Sequence, residues 1–153
     1  PADWRHLEDL AFSNAHLRAT AQAYLLGDFE SAKISLIKAI ELNPALVANN
    51  QAVLANQFLA WTDLPKTSDR LMFLQRIYDN LPDSLIELRQ RRRSDLGQAA
   101  MVLAFESYQR NDLGRARSAA LKAVRYQPRW LMNRGALSVL LHSSLDSWRQ
   151  PRS

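Results

Sequence analysis

One signature occurs twice in this chain, 84 residues apart, and it constrains the fold more than any other feature. The first copy reads Tyr24-Leu-Leu-Gly-Asp-Phe-Glu-Ser-Ala32, followed by Ala39-Ile-Glu-Leu-Asn-Pro44. The second reads Tyr108-Gln-Arg-Asn-Asp-Leu-Gly-Arg-Ala116, followed by Ala123-Val-Arg-Tyr-Gln-Pro128. The match continues past the prolines, where Asn49-Asn-Gln-Ala52 corresponds to Asn133-Arg-Gly-Ala136. An internal repeat points to supersecondary units that bury their apolar faces by stacking on neighbours. Within each copy the two alanines lie seven residues apart, on one face of a helix, and their small size lets another helix approach closely.

Apolar residues recur at helical spacing almost everywhere, and no period-2 alternation is present. Leu7, Leu10, Ala11, Leu17, Ala21, Tyr24 and Leu25 trace one stripe of a first helix, capped by Asp3 and loosened at Ser13-Asn14. Gly27 ends that helix and Asp28 caps a second, about 29–42. Asn43 and Pro44 open a third, to about Thr62. A turn at 63–67 leads to a fourth, from about Ser68 to Asn80. Ser84-Leu-Ile-Glu87 reads as a capping box for a fifth, to about Arg110. Asn111-Asp112 opens a sixth, ending near Tyr126, and Pro128 a seventh, to about Trp148. The tail 150–153 reads as frayed. The expectation is an all-α domain of about seven helices, duplicated with an 84-residue shift, with halves 1–84 and 85–153.

Each copy resembles a tetratricopeptide repeat. Tyr24, Gly27, Asp28, Phe29, Ala32, Ala39 and Pro44 fit that pattern, as do Tyr108, Asp112, Ala116, Ala123 and Pro128. Asn111 stands where the first copy has Gly27, and Asn tolerates a left-handed turn. His16, Ala19 and Thr20 occupy the places of the family's Trp and Leu-Gly, and 84 replaces its tandem period of about 34 residues. The resemblance implies right-handed stacking of helical hairpins and a concave groove that binds a protein partner. Tyr24, Gln98, Met101, Phe105 and Tyr108 would line that groove, beside Asn14, Leu17, Ala21, Leu25 and Gln109. The groove is either open to a partner or filled by the extra helices lying between the copies.

Residues 111–141 are also similar to the helical C-terminal extensions of bacterial family-2 glycosyltransferases. That resemblance implies a non-catalytic piece of a longer bacterial polypeptide, with the parent's own α/β catalytic domain as neighbour. The chain itself has no Asp-x-Asp metal motif. The competing expectation is a free-standing adaptor for a protein partner.

Nothing in the chain spells out a reaction. It has no Cys, so no thiol chemistry, disulfide or cysteine metal site is expected, in keeping with a reducing, cytoplasmic setting. His6, His16 and His142 are scattered, and no Gly-x-Ser-x-Gly or Gly-rich phosphate loop occurs. The expectation is therefore no catalytic residue, no metal and no cofactor. Charge is more informative. Residues 1–84 hold 7 Lys/Arg and 10 Asp/Glu, a balance of −3, whereas residues 85–153 hold 13 and 5, a balance of +8. An anionic partner would meet the second half. Arg91, Arg92 and Arg93 form one candidate anion-binding set and Arg129 and Arg134 a second. The alternative is a solvated helix start, with the arginine run paired to Asp83, Glu87 and Asp95. Trp130 and Trp148 bracket the last helix beside Arg129, Arg134 and Arg149, which suits the inner face of an anionic membrane. The lack of a helix-turn-helix signature and of interleaved aromatics argues against nucleic acid.

Overall fold

The structure is a computed structural model that describes residues 2–64, 67 and 69–149; of residues 2, 3, 49, 50 and 144–149 it describes the backbone alone. Among the described residues every regular element is helical. The described residues form seven α-helices: α1 (Ala2–Leu26), α2 (Phe29–Leu42), α3 (Ala48–Trp61), α4 (Arg70–Asp79), α5 (Ile86–Gln109), α6 (Leu113–Tyr126) and α7 (Arg134–Arg149). Two short 3₁₀ helices, Pro44–Val47 and Pro128–Met132, precede α3 and α7. The chain divides into two compact units, 1–92 and 93–153, with the division inside α5 rather than at residue 84.

The turns at the repeated signature are built alike. In the first, the Gly27 N–H donates to the Tyr24 carbonyl (3.2 Å) and the Asp28 N–H to the Ala23 carbonyl (2.9 Å). In the second, the Asn111 N–H donates to Tyr108 (3.0 Å) and the Asp112 N–H to Ser107 (2.9 Å). This paired bonding is a Schellman ending, which needs a left-handed residue at its pivot. Gly27 takes it with φ 78° and Asn111 with φ 60°. Asp28 then accepts from the Ser31 N–H and Asp112 from the Arg115 N–H, so one residue finishes a helix ending and caps the next helix. The Ser31 side chain and backbone N–H hold the Asp28 carboxyl below its ordinary range. Asn43 and Gln127 close α2 and α6 by donating to Ala39 and Ala123. After both prolines the chain makes a 3₁₀ turn before the next α-helix, where sequence alone suggests a continuous one.

In the first unit α2 packs on α1, and α4 packs on α1 and α3. Tyr24, Leu36, Leu54, Phe58, Leu74 and Ile77 are completely buried. The Phe58 ring meets Tyr78 edge-on (6.2 Å) and Trp61 obliquely (5.2 Å). Ala32 and Ala39 are fully buried on α2. α1 continues unbroken through Ser13-Asn14, and the buried Ser13 hydroxyl donates to the Ala39 carbonyl (2.8 Å). The apolar stripe of α1 is buried only from this point onward: Trp4, Leu7, Ala11 and Phe12 are exposed and Leu10 half-buried. The reason is length. The 25 residues of α1 run about 37 Å and the 14 of α2 about 21 Å. The first ten residues of α1 therefore extend beyond α2.

In the second unit α6 and α7 pack together, and the 3₁₀ helix 128–132 packs on both. Ala116, Ala119, Ala120 and Ala123 make the buried stripe of α6. Leu96, Ala100, Met101 and Ala104 of α5 and Ala136 and Val139 of α7 are buried too. Gly97 allows a close approach, since a Cβ there would stand 2.9 Å from the Gln127 side chain.

Two helix starts depart from the local reading. α4 begins at Arg70, two residues after the expected start at about Ser68, a residue outside those described; Asp69 caps it by accepting from the Met72 N–H (3.0 Å). The Ser84–Glu87 box gives way to a contact from far along the chain. The Leu88 N–H in the first turn of α5 donates to the side-chain oxygen of Gln51 (2.9 Å), a buried hydrogen bond. Gln51 reaches it from α3 with φ 57°, a left-handed conformation strained for a residue with a Cβ. The cap at Asp3 and the frayed tail 150–153 fall outside the described side chains and residues.

Candidate functional site

Tyr24, proposed above as a groove residue, is closed off inside the first unit. It is completely buried, and its hydroxyl donates to the Asn80 carbonyl at the end of α4 (3.1 Å). Burial pushes that hydroxyl above the usual phenol range. Leu17 and Ala21 are buried with it. The end of α4, one of the extra helices, thus occupies the space a partner would need beside Tyr24. The other four groove residues belong to the second unit. Met101 is buried and Gln98 exposed. Phe105 lies at the edge of exposure beside Gly135. Tyr108 is half-buried, its ring 6.4 Å from that of His142. His142 Nδ1 stands 2.8 Å from the Ser138 carbonyl, a distance suited to Nδ1–H donating.

The arginine run is partly engaged. Arg92 pairs with Asp79 (2.7 Å), and Arg89 donates to Asp83 (2.6 Å) and to the Leu81 carbonyl (2.8 Å). Arg91 is half-buried and has an interaction of its own. Arg93 is exposed. Asp83 therefore serves Arg89, and Arg92 is held by a residue that sequence does not suggest. These contacts fix the helix start and leave Arg93 as the exposed member of the run.

A denser cationic surface lies further along the second unit. Residues 113–134 contain Arg115, Arg117, Lys122, Arg125, Arg129 and Arg134 and no carboxylate. At 3.6 residues per turn the four cations of α6 fall on the half of the helix opposite its buried alanines. All four are exposed, together with Ser118 and Leu121. Arg129 continues the surface onto the 3₁₀ helix, and Arg134 starts α7; both are exposed. Among the described residues Arg115, Lys122, Arg125, Arg129 and Arg134 have no ion-pair partner. Between Arg129 and Arg134 stand Leu131, 48% exposed, and Met132, 88% exposed. Trp130 is half-buried with its indole nitrogen inside, so it packs inward. The side chains of Trp148 and Arg149 lie outside those described.

No family model, curated protein or solved structure matches this chain. Among the described residues no group of three or more His, Cys, Asp or Glu is placed to hold a metal ion. Nor is any described helix long and apolar enough to cross a membrane. Sequence alone does not single out Arg115, Lys122 and Arg125, which are spread at helical spacing through α6 rather than contiguous like the run 91–93. The signal was present all the same, in the complete lack of acid from 113 to 134.

Proposed function

We propose that this chain is a non-catalytic helical interaction module that meets an anionic partner through the outer face of α6 and the turn that follows it. The observation behind the proposal is the acid-free segment 113–134, four of whose six cations project from the side of α6 opposite the Ala116–Ala123 stripe. A buried stripe of alanines holds the helix against its unit and leaves the charged side outward. Same-sign charges gathered on one helix face repel one another, and an anion relieves that repulsion. The resemblance of residues 111–141 to glycosyltransferase extensions suggests an appendage working beside an α/β catalytic domain; a free-standing adaptor is the competing reading. The reading frame flanking these residues separates the two.

The test is retention on immobilised polyphosphate. Binding is expected to weaken steeply between about 50 and 200 mM salt, because released counterions drive it. Reversing Arg115, Lys122, Arg125 and Arg129 to Glu should abolish retention. Reversing four cations of the first unit (Arg5, Arg18, Lys33 and Lys38) changes net charge equally and should leave most of it. Equal losses in the two variants would show that net charge, not this face, is responsible.

A further inference from the structure

We propose that the anionic partner is the surface of a lipid bilayer, and that Leu131 and Met132 are the side chains that enter it. This rests on the reading of the α6 face as an anion-binding surface. Met132 is the most exposed of the large apolar residues described, and Leu131 is exposed beside it. Their exposure is built in. The Trp130 N–H donates to the Gln127 carbonyl (3.1 Å) and the Asn133 N–H to the Trp130 carbonyl (3.1 Å), which closes the turn. Asn133 then anchors the far side, its side-chain oxygen accepting from the Gly135 N–H (2.9 Å) and the Ala136 N–H (3.2 Å) at the start of α7. Pro128 fixes the entry. The two apolar side chains therefore stand on a braced turn rather than on a loose end.

The charges around them choose among anionic partners. Arg125 precedes the turn, Arg129 lies within it and Arg134 follows it, with no carboxylate among them. A 3₁₀ helix rises about 2 Å per residue, so Arg129 and Met132 are within about 10 Å along the chain. A nucleic acid offers phosphates to the arginines, but its recognition uses stacking aromatics or base-edge contacts, and Leu131 and Met132 supply neither. An anionic bilayer offers both layers at the right spacing. Its phosphates meet the arginines, and hydrocarbon begins about 5–10 Å deeper, where interfacial apolar groups come to rest.

The experiment compares the full chain with a Leu131→Ser/Met132→Ser double variant, which alters no charge. Cosedimentation is measured with vesicles of phosphatidylcholine alone and of phosphatidylcholine with about 30% phosphatidylserine, and retention is measured on immobilised polyphosphate. The parent should bind the mixed vesicles, release them as salt rises, and ignore the neutral ones. The serine pair should weaken vesicle binding by about tenfold or more, since two partly buried apolar side chains are lost. Its polyphosphate retention and melting temperature should not change. Vesicle binding that is indifferent to the serine pair, or polyphosphate retention without vesicle binding, overturns the lipid assignment and leaves the anion-binding module standing. Failure to bind either vesicles or polyphosphate overturns both.

Discussion

Replacing Gln51 by Ala and by Gly should invert the usual order of those two residues in a helix. In an ordinary helix interior Gly is about 1 kcal/mol less stable than Ala. Gln51 lies in α3 but has φ 57°, and its side chain accepts the buried Leu88 N–H. Either replacement removes the acceptor and leaves that donor unpaired, at about 1–3 kcal/mol. Ala keeps the left-handed strain, about 1–2 kcal/mol for a residue with a Cβ, and Gly is free of it. The Gly variant should therefore be the more stable of the two by about 1 kcal/mol, although both fall below the parent. Urea unfolding followed by far-ultraviolet circular dichroism resolves this, since slopes of about 1–3 kcal/mol per molar turn it into a midpoint gap of about 0.3–1 M. An Ala variant as stable as the Gly variant, or more so, would show that position 51 is ordinary right-handed helix and that the strain argument is wrong.

Two further outcomes follow from the packing and the caps. Ala39→Leu and Ala123→Leu each force a larger side chain into a fully buried site and should cost about 1–3 kcal/mol, seen as a melting temperature lower by about 3–10 °C; Leu121→Ala, on the exposed side of α6, should stay within about 0.5 kcal/mol of the parent. Because the Asp28 carboxyl titrates below its unfolded value of about 3.9, its capping contribution is complete above that value and is lost as pH falls through the folded one, so the stability gap between the parent and Asp28→Ala should close as pH drops from about 5 toward 2; a gap independent of pH would mean that a neutral carboxyl caps equally well.

The local grammar of this chain is legible in its sequence. Gly27-Asp28 and Asn111-Asp112 specify both the helix ending and the next cap, and α2 and α6 begin and end within a residue or so of where those signals put them. The buried alanines at 32, 39, 116 and 123 follow from their seven-residue spacing. What sequence could not supply was decided at long range. Ser84 and Glu87 satisfy a capping-box pattern, yet the Leu88 donor goes to Gln51, 37 residues earlier, because folding brings that amide into a buried position the local pattern does not encode. Leu7 and Ala11 belong to the apolar stripe of α1 by spacing, and only the shortness of α2 leaves them outside. Tyr24 read as a groove residue because the hairpin pattern says nothing about which helix comes to lie over it. The cationic face is obscured by its own periodicity, whereas the contiguous run at 91–93, conspicuous in the sequence, is partly tied to Asp79 and to other partners.

The hydrogen bond from Tyr24 to Asn80 also bears on the order in which the first unit matures. The residues of the α1–α2 hairpin leave the ribosome well before residue 80 does. Until then the tyrosine hydroxyl lacks its native acceptor, 56 residues further along the chain. Closing a loop of that length costs entropy that only the arrival of α4 and its buried side chains can offset. The same holds for the Leu88 donor and Gln51. The α1–α2 hairpin therefore cannot complete the native burial and bonding of Tyr24 by itself; α4 must arrive first.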